Sequence, residues 1–105
     1  DLIKVTNLGP IRDYIHISDL IFVINNLLAT NTTGILNLGT GIGTSVEDLV
    51  VKCIKYGDVG SKKYVGIEEN KCLLNILNID KVKKLLSWTP RINIDDGLKS
   101  LILNK

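Results

Sequence analysis

A chain of 105 residues with 45% hydrophobic side chains is one domain at most, long enough to bury a core and short for a self-standing α/β enzyme. Its 13 basic and 11 acidic residues are interspersed and net +2, which gives no basic run of the kind that binds nucleic acid. Two cysteines without CxxC spacing and a single histidine make no zinc framework; no leader pattern occupies residues 1–30 and no apolar run reaches roughly 20 residues, so the expected address is the cytoplasm, with no membrane and no metal.

The chain contains no methionine and opens on Asp1 with the apolar run Leu2-Ile3-Lys4-Val5, the pattern of a strand already under way, so a segment cut or trimmed from a longer protein is expected. Asn7-Leu8-Gly9-Pro10 ends that strand in a turn. Residues 12–17 alternate as a second strand, with Ile15 and Ile17 on one side and Arg12, Tyr14 and His16 on the other. Ser18 or Asp19 is placed to cap a helix that begins at Leu20. Arg12 therefore has a fixed direction. Its planar fork suits a phosphate or carboxylate ligand; the alternative is an arginine paired with a nearby Asp or lying in solvent. The helix over residues 19–30 carries Leu20, Val23, Ile24, Leu27 and Leu28 as its core-facing stripe. Phe22 falls on the outer side with Asn25 and Asn26, a hint that something beyond the chain covers the ring.

After a polar loop, residues 35–38 read as a short strand and Gly39-Thr40-Gly41-Ile42-Gly43 as a glycine turn. Thr44 and Glu47 have capping-box spacing. The helix predicted over 45–56 turns Val46, Leu49, Val50, Cys53 and Ile54 to one face, with Cys53 as a small buried apolar residue. Its acids come first, its lysines late, and Gly57 stops it. Residues 64–67 and 73–76 are predicted strands on either side of Glu68-Glu69-Asn70-Lys71. Asp80 caps a short helix with Val82, Leu85 and Leu86 inward; Trp88 plugs the core at its end and Pro90 prevents its continuation. Asn93, three residues before Asp96, caps a last helix that buries Ile94, Leu98, Leu101 and Ile102. Short strands alternating with about four helices specify an α/β fold for residues 1–105 as a single domain.

The strand, glycines and helix of residues 35–50 invite a dinucleotide-binding reading. That fingerprint needs G-x-G-x-x-G, whereas the third glycine comes one place early at Gly43 and Thr44 stands where glycine is required. A plain strand-to-helix turn is the better reading, with Thr44 and Ser45 kept as minor candidates for an anion at the helix start. His16 has no nucleophile or second histidine at motif spacing and reads as a structural hydrogen-bonder. Asp13 and Asp19 read as backbone caps and Arg partners, not as a catalytic pair.

Four segments in order carry more than any one alone: residues 12–20, residues 36–46, residues 80–90 and Ile94-Asp95-Asp96-Gly97-Leu98. Together they resemble the C-terminal substrate-binding part of the extended short-chain dehydrogenase/reductase family, within it the NAD-dependent sugar-nucleotide epimerases and dehydratases. The resemblance implies a Rossmann-type α/β subdomain whose parent binds NAD or NADP, oxidises a sugar carbon transiently by hydride transfer and works as a homodimer. It implies a nucleoside-diphosphate sugar as the ligand of this part. The family's N-terminal NAD(P)-binding Rossmann domain, with its glycine-rich loop and Tyr-x-x-x-Lys pair, has no counterpart in these residues, since no Tyr is followed by Lys at the fourth position. No catalytic residue is therefore assigned, and no cofactor is expected on this segment alone.

By position, Arg12 corresponds to the family arginine that contacts the diphosphate, with Tyr14 beside it in the same motif. A second family arginine falls on Glu68 and a family acid on Lys71, both with charge reversed, so either the correspondence slips here, Lys71 substitutes as a phosphate ligand, or the substrate is bound differently in this member. Ser87 stands where the family prefers glycine; a left-handed backbone there costs Ser on the order of 1 kcal/mol. The alternative function is a non-catalytic nucleotide-sugar-binding or interaction module derived from the same fold.

Overall fold

The computed structural model describes residues 2–57, 62–67 and 73–103. It is an α/β arrangement of short strands and four helices, as expected. Strand β1 (Leu2–Asn7) pairs in parallel with β4 (Lys63–Ile67). A separate three-stranded sheet places β2 (Ile11–Arg12) between β3 (Thr44–Ser45) and β5 (Leu74–Asn75). The helices are α1 (Ile17–Leu28), α2 (Val46–Tyr56), α3 (Asp80–Leu86) and α4 (Ile94–Leu103). Among the described residues no helix is long and apolar enough to cross a membrane.

The core is small and lies between α1 and the α3 region: Val23, Ile79, Val82 and Trp88, with Ile15, Phe22, Leu27 and Leu38 packed against it. Val23 and Val82 are sealed completely. Trp88 plugs this core as predicted, and its indole N–H has no partner. Just before it, Ser87 adopts φ 48 and ψ 44 at the end of α3, the left-handed geometry in which its Cβ is strained. By contrast α2 has no fully buried residue among those described, and its Cys53 is exposed, not buried as expected.

The second strand is shorter than the alternation suggested, because the chain leaves the sheet after Arg12 and enters α1 at Ile17. His16 is the cap: its Nδ1 accepts from the Ser18 N–H at 3.1 Å, so its structural reading holds. Asp19 is drawn inward instead, where it is buried and accepts from the backbone N–H groups of Arg91 and Ile92. This roll of the helix also changes its faces. Val23 is buried, but Ile24 and Leu28 point outward. Phe22, expected outside, packs against the core and lies under the Arg91 guanidinium, 4.4 Å from the ring centroid.

Residues 35–38 form no strand; Ile35 is exposed and its carbonyl accepts from Lys81 Nζ. The cap of α2 is Ser45, one residue later than predicted, its Oγ accepting from the Asp48 N–H. At α3 the cap is not Asp80; the Asn78 side chain accepts from the Asp80 N–H. Leu85 and Leu101 are likewise exposed, whereas Asn93 caps α4 as expected, accepting from the Asp96 N–H at 2.8 Å.

Candidate functional site

Arg12 is held by its backbone from both sides. In β2 it lies opposite Thr44 of antiparallel β3 and opposite Asn75 of parallel β5, so the strand cannot turn without breaking two ladders. Its side chain is exposed, and among the described residues the ion pair formed is Lys52–Asp95, not one with Arg12. The obvious intramolecular partner is already engaged. Asp13 Oδ1 accepts from the Thr40 N–H and from Thr40 Oγ1, and Oδ2 accepts from the N–H groups of Gly41 at 2.8 Å and Leu77 at 3.3 Å. Burial is the largest single influence on this carboxyl and pushes it up. The hydrogen bonds from Thr40, Gly41 and Leu77 together outweigh it and hold the group below its ordinary value.

The glycine turn is thereby explained without a cofactor. Gly41 has φ +77, and a Cβ on Gly39 would lie 2.6 Å from Asp13 Oδ2, so both glycines exist to bring backbone N–H groups around an internal carboxylate. The first N–H groups of α2 are engaged as well: Val46 donates to the Pro10 carbonyl, Glu47 to the Leu8 carbonyl and Asp48 to Ser45 Oγ. The N–H groups of Thr40, Gly41 and Ile42 in the loop and of Val46, Glu47 and Asp48 at the helix start are thus taken from within and are not free for a dinucleotide phosphate. The residues of this chain do not fit NAD at that place, and Thr44 and Ser45 lose their standing as anion ligands: Ser45 is a cap and Thr44 is buried in β3.

Tyr14 lines a cavity of about 420 Å³ with Thr40, Thr44, Arg91, Asn93 and Asp95. Arg12 does not line it, although Thr44, its opposite neighbour in the sheet, does. Asp95 is committed elsewhere: it accepts from Lys52 Nζ at 2.8 Å and Tyr56 Oη at 2.6 Å, and these bonds, the lysine's first, hold its carboxyl below the ordinary value. Lys52 is raised in return, chiefly by that bond. The structure thus brings Tyr14 to the cavity and places Arg12 one strand away, while Lys71 lies outside the described residues. Among the described residues no cluster of three or more His, Cys, Asp or Glu could hold a metal ion.

Arg91 is the cavity residue that sequence reasoning missed. It follows Pro90 in an irregular stretch, so no periodicity marks it, and only the fold reveals its seat over Phe22 beside the Asp19 carboxylate.

No family model matches the chain. Curated relatives do. UDP-glucose 4-epimerase 3 of Oryza sativa subsp. japonica is 37% identical over 97 residues, covering 82% of this chain and 25% of that protein. UDP-glucose 4-epimerase of Rhizobium leguminosarum bv. trifolii is 30% identical over 95 residues, covering 86% of this chain and 29% of that protein. Among solved structures, UDP-glucose 4-epimerase from Bifidobacterium longum in complex with NAD+ and UDP superposes with a TM-score of 0.78 at 25% identity, over 94% of this chain and 33% of that one. The chain therefore spans about a quarter to a third of the length of the relatives it matches.

Proposed function

Because the chain belongs to the NAD-dependent sugar-nucleotide epimerase/dehydratase family of extended short-chain dehydrogenases/reductases, we propose that it is the substrate-binding part of such an enzyme. In this reading residues 1–105 act as one unit, and Arg12 holds a nucleoside-diphosphate sugar by its diphosphate. One observation carries the assignment: Arg12 is exposed on a strand fixed from both sides, without an ion pair among the described residues, beside an Asp13 whose oxygens are already engaged. A guanidinium fork so placed can meet two phosphate oxygens at once. The Bifidobacterium longum relative, solved with UDP, supports the choice of ligand class.

NAD or NADP belongs, in this proposal, to a part of the enzyme outside these residues, in keeping with the occupied N–H groups of the glycine loop and of α2. The contribution of this part is binding energy remote from the reacting carbon, which orients the sugar. Tyr14, in the wall of the adjacent cavity, is proposed to contact the sugar nucleotide, and Lys71 to add a second cation.

Calorimetric titration with UDP-, GDP-, CDP- and dTDP-sugars tests this. One of the series should bind, and Arg12→Ala should weaken that binding by about 100-fold, or about 2.7 kcal/mol. An affinity unchanged by Arg12→Ala would refute the assignment; Tyr14→Phe and Lys71→Ala in the same titration test the two further residues.

A further inference from the structure

Arg91 lines the cavity beside Tyr14, as Arg12 does not, and its backbone is held just as firmly. Its own N–H and that of Ile92 donate to the buried Asp19 carboxylate, and Asn93, two residues on, caps α4. The guanidinium lies over the Phe22 ring, 4.4 Å from its centroid. A planar cation resting by its face on a ring keeps its N–H donors at the edge, where a carboxylate can accept two of them.

The fold has spent its own carboxylates here on other groups. Asp19 serves the backbone of the Arg91 strap and Asp13 the glycine turn. Asp95, in the cavity wall, accepts from Lys52 Nζ at 2.8 Å and Tyr56 Oη at 2.6 Å, so its charge is met from outside the cavity. Arg91 takes part in no ion pair among the described residues, and the cavity is left with its positive charge. Asn93 Oδ1 accepts from the Asp96 N–H, which leaves the amide –NH2 to donate. At about 420 Å³ the space suits a small organic group better than a lone ion. Thr44 in its wall lies opposite Arg12 in the neighbouring strand, and paired strands are about 5 Å apart, so a ligand anchored at Arg12 extends into it. The base and ribose of a sugar nucleotide are uncharged at neutral pH. A negative charge beyond the diphosphate must therefore sit on the sugar.

We propose that this cavity receives the sugar of the nucleotide and that Arg91 selects a sugar bearing a carboxylate, a uronate, over the corresponding neutral hexose. The assignment rests on the reading of Arg12 as the holder of the diphosphate and adds to it the charge of the substrate. Arg12 and Arg91 then divide one ligand: the first grips what every nucleotide sugar carries, and the second reads what distinguishes an acidic sugar from a neutral one. Asp19 is the positioning residue, because it fixes the strap that carries Arg91.

The test titrates the chain calorimetrically with UDP-glucuronate and UDP-glucose, which share base and diphosphate and differ in the carboxylate. The uronate should bind about tenfold more tightly, the worth of one charge-assisted contact. Arg91→Gln should bring its affinity down to that of the hexose, and Arg91→Lys, which keeps the charge and loses the fork, should retain part of the difference. Lys83→Gln removes a charge from an exposed position of α3 outside the cavity and should keep the difference whole. Should Arg91→Gln fail to fold by circular dichroism, Arg91→Met, whose stem still covers Phe22, takes its place. The proposal is overturned by binding of neither nucleotide, by equal affinities in the wild type, by a preference that survives loss of the Arg91 charge, or by one that Lys83→Gln abolishes equally. Arg12→Ala separates the two readings. Affinities that need Arg12 but ignore the carboxylate overturn the selectivity alone, whereas an Arg91-dependent preference indifferent to Arg12→Ala sustains the selectivity and refutes the diphosphate role.

Discussion

Asp13 and the loop around Thr40 make a closed polar region, in which a carboxylate receives three backbone N–H groups and a hydroxyl. One residue earlier, Arg12 stands in an open region, with a strand on each side of its backbone and no ion pair among the described residues. Both residues are charged and both sit on rigid backbone, so charge and rigidity do not by themselves mark a binding group. What separates them is whether the fold itself satisfies the charge. The glycine loop that looks like a phosphate cradle has the N–H groups of Thr40, Gly41 and Ile42 filled from within, whereas the cation beside it has no ion pair among the described residues.

The comparison breaks most visibly at Asp13. Asp13→Ala leaves the N–H groups of Thr40, Gly41 and Leu77 without their acceptor and should cost about 3 kcal/mol, read as a fall in melting temperature on the order of 15 °C. Its carboxyl is held below the ordinary 3.8. The corresponding stabilisation is therefore fully present above that ordinary value and is lost as pH falls below it toward the lowered one. Asp95 is shifted in the same direction, so the quantity to measure is the difference between wild type and Asp13→Asn in urea midpoints from pH 6 down to pH 2. That difference should narrow only at the acid end. A constant gap across the range would show that the carboxylate charge contributes nothing.

Asp19 extends the closed region to the other side of the core. Its buried carboxylate ties Arg91 and Ile92 to the first turn of α1, where a negative charge also suits the helix dipole. Asp19→Ala should cost about 2 kcal/mol, with the Arg91 and Ile92 amides losing protection from hydrogen exchange ahead of the rest of the chain. Equal loss throughout would mean that the carboxylate supports the whole core and not one strap.

The sequence disclosed local rules well and their competition poorly. Trp88 in the core and the Asn93 cap follow from neighbours within a few residues, the strained Ser87 from the family resemblance, and the structure has each of them. The failures lie where one residue had two possible uses. Asp19 is an ordinary N-cap by type, but a distant backbone segment recruits it, His16 takes the cap, and α1 rolls so that Ile24 and Leu28 face out while Phe22 faces in. Arg91 was illegible for the same reason, since its partners Phe22 and Asp19 are about 70 residues away in sequence. At the candidate site, the strand pattern set Arg12 and Tyr14 on one side, but the strand ends at Arg12 and of the two only Tyr14 lines the cavity; the engagement of Asp13, on which the reading of Arg12 depends, required the fold.

A smaller effect sharpens the comparison from the side of the backbone. Ser87→Gly removes a Cβ from a left-handed residue at the end of α3 and should stabilise by about 1 kcal/mol in thermal melts. A neutral result would indicate that the Ser hydroxyl compensates the strain.

The smallest expected effect is the most telling. Arg12→Ala removes a charge that the described fold leaves unpaired, so its effect on the stability of the free chain should stay within about 0.5 kcal/mol, the range of ordinary surface substitutions. Set beside Asp13→Ala, this gives adjacent residues opposite signatures: one change destabilises the fold and the other does not. A loss from Arg12→Ala approaching that from Asp13→Ala would place the arginine inside the closed region, as a structural counter-charge, and would remove the reason to assign it a diphosphate. A silent melt together with lost sugar-nucleotide affinity would show that the two neighbours divide between holding the fold and holding the ligand.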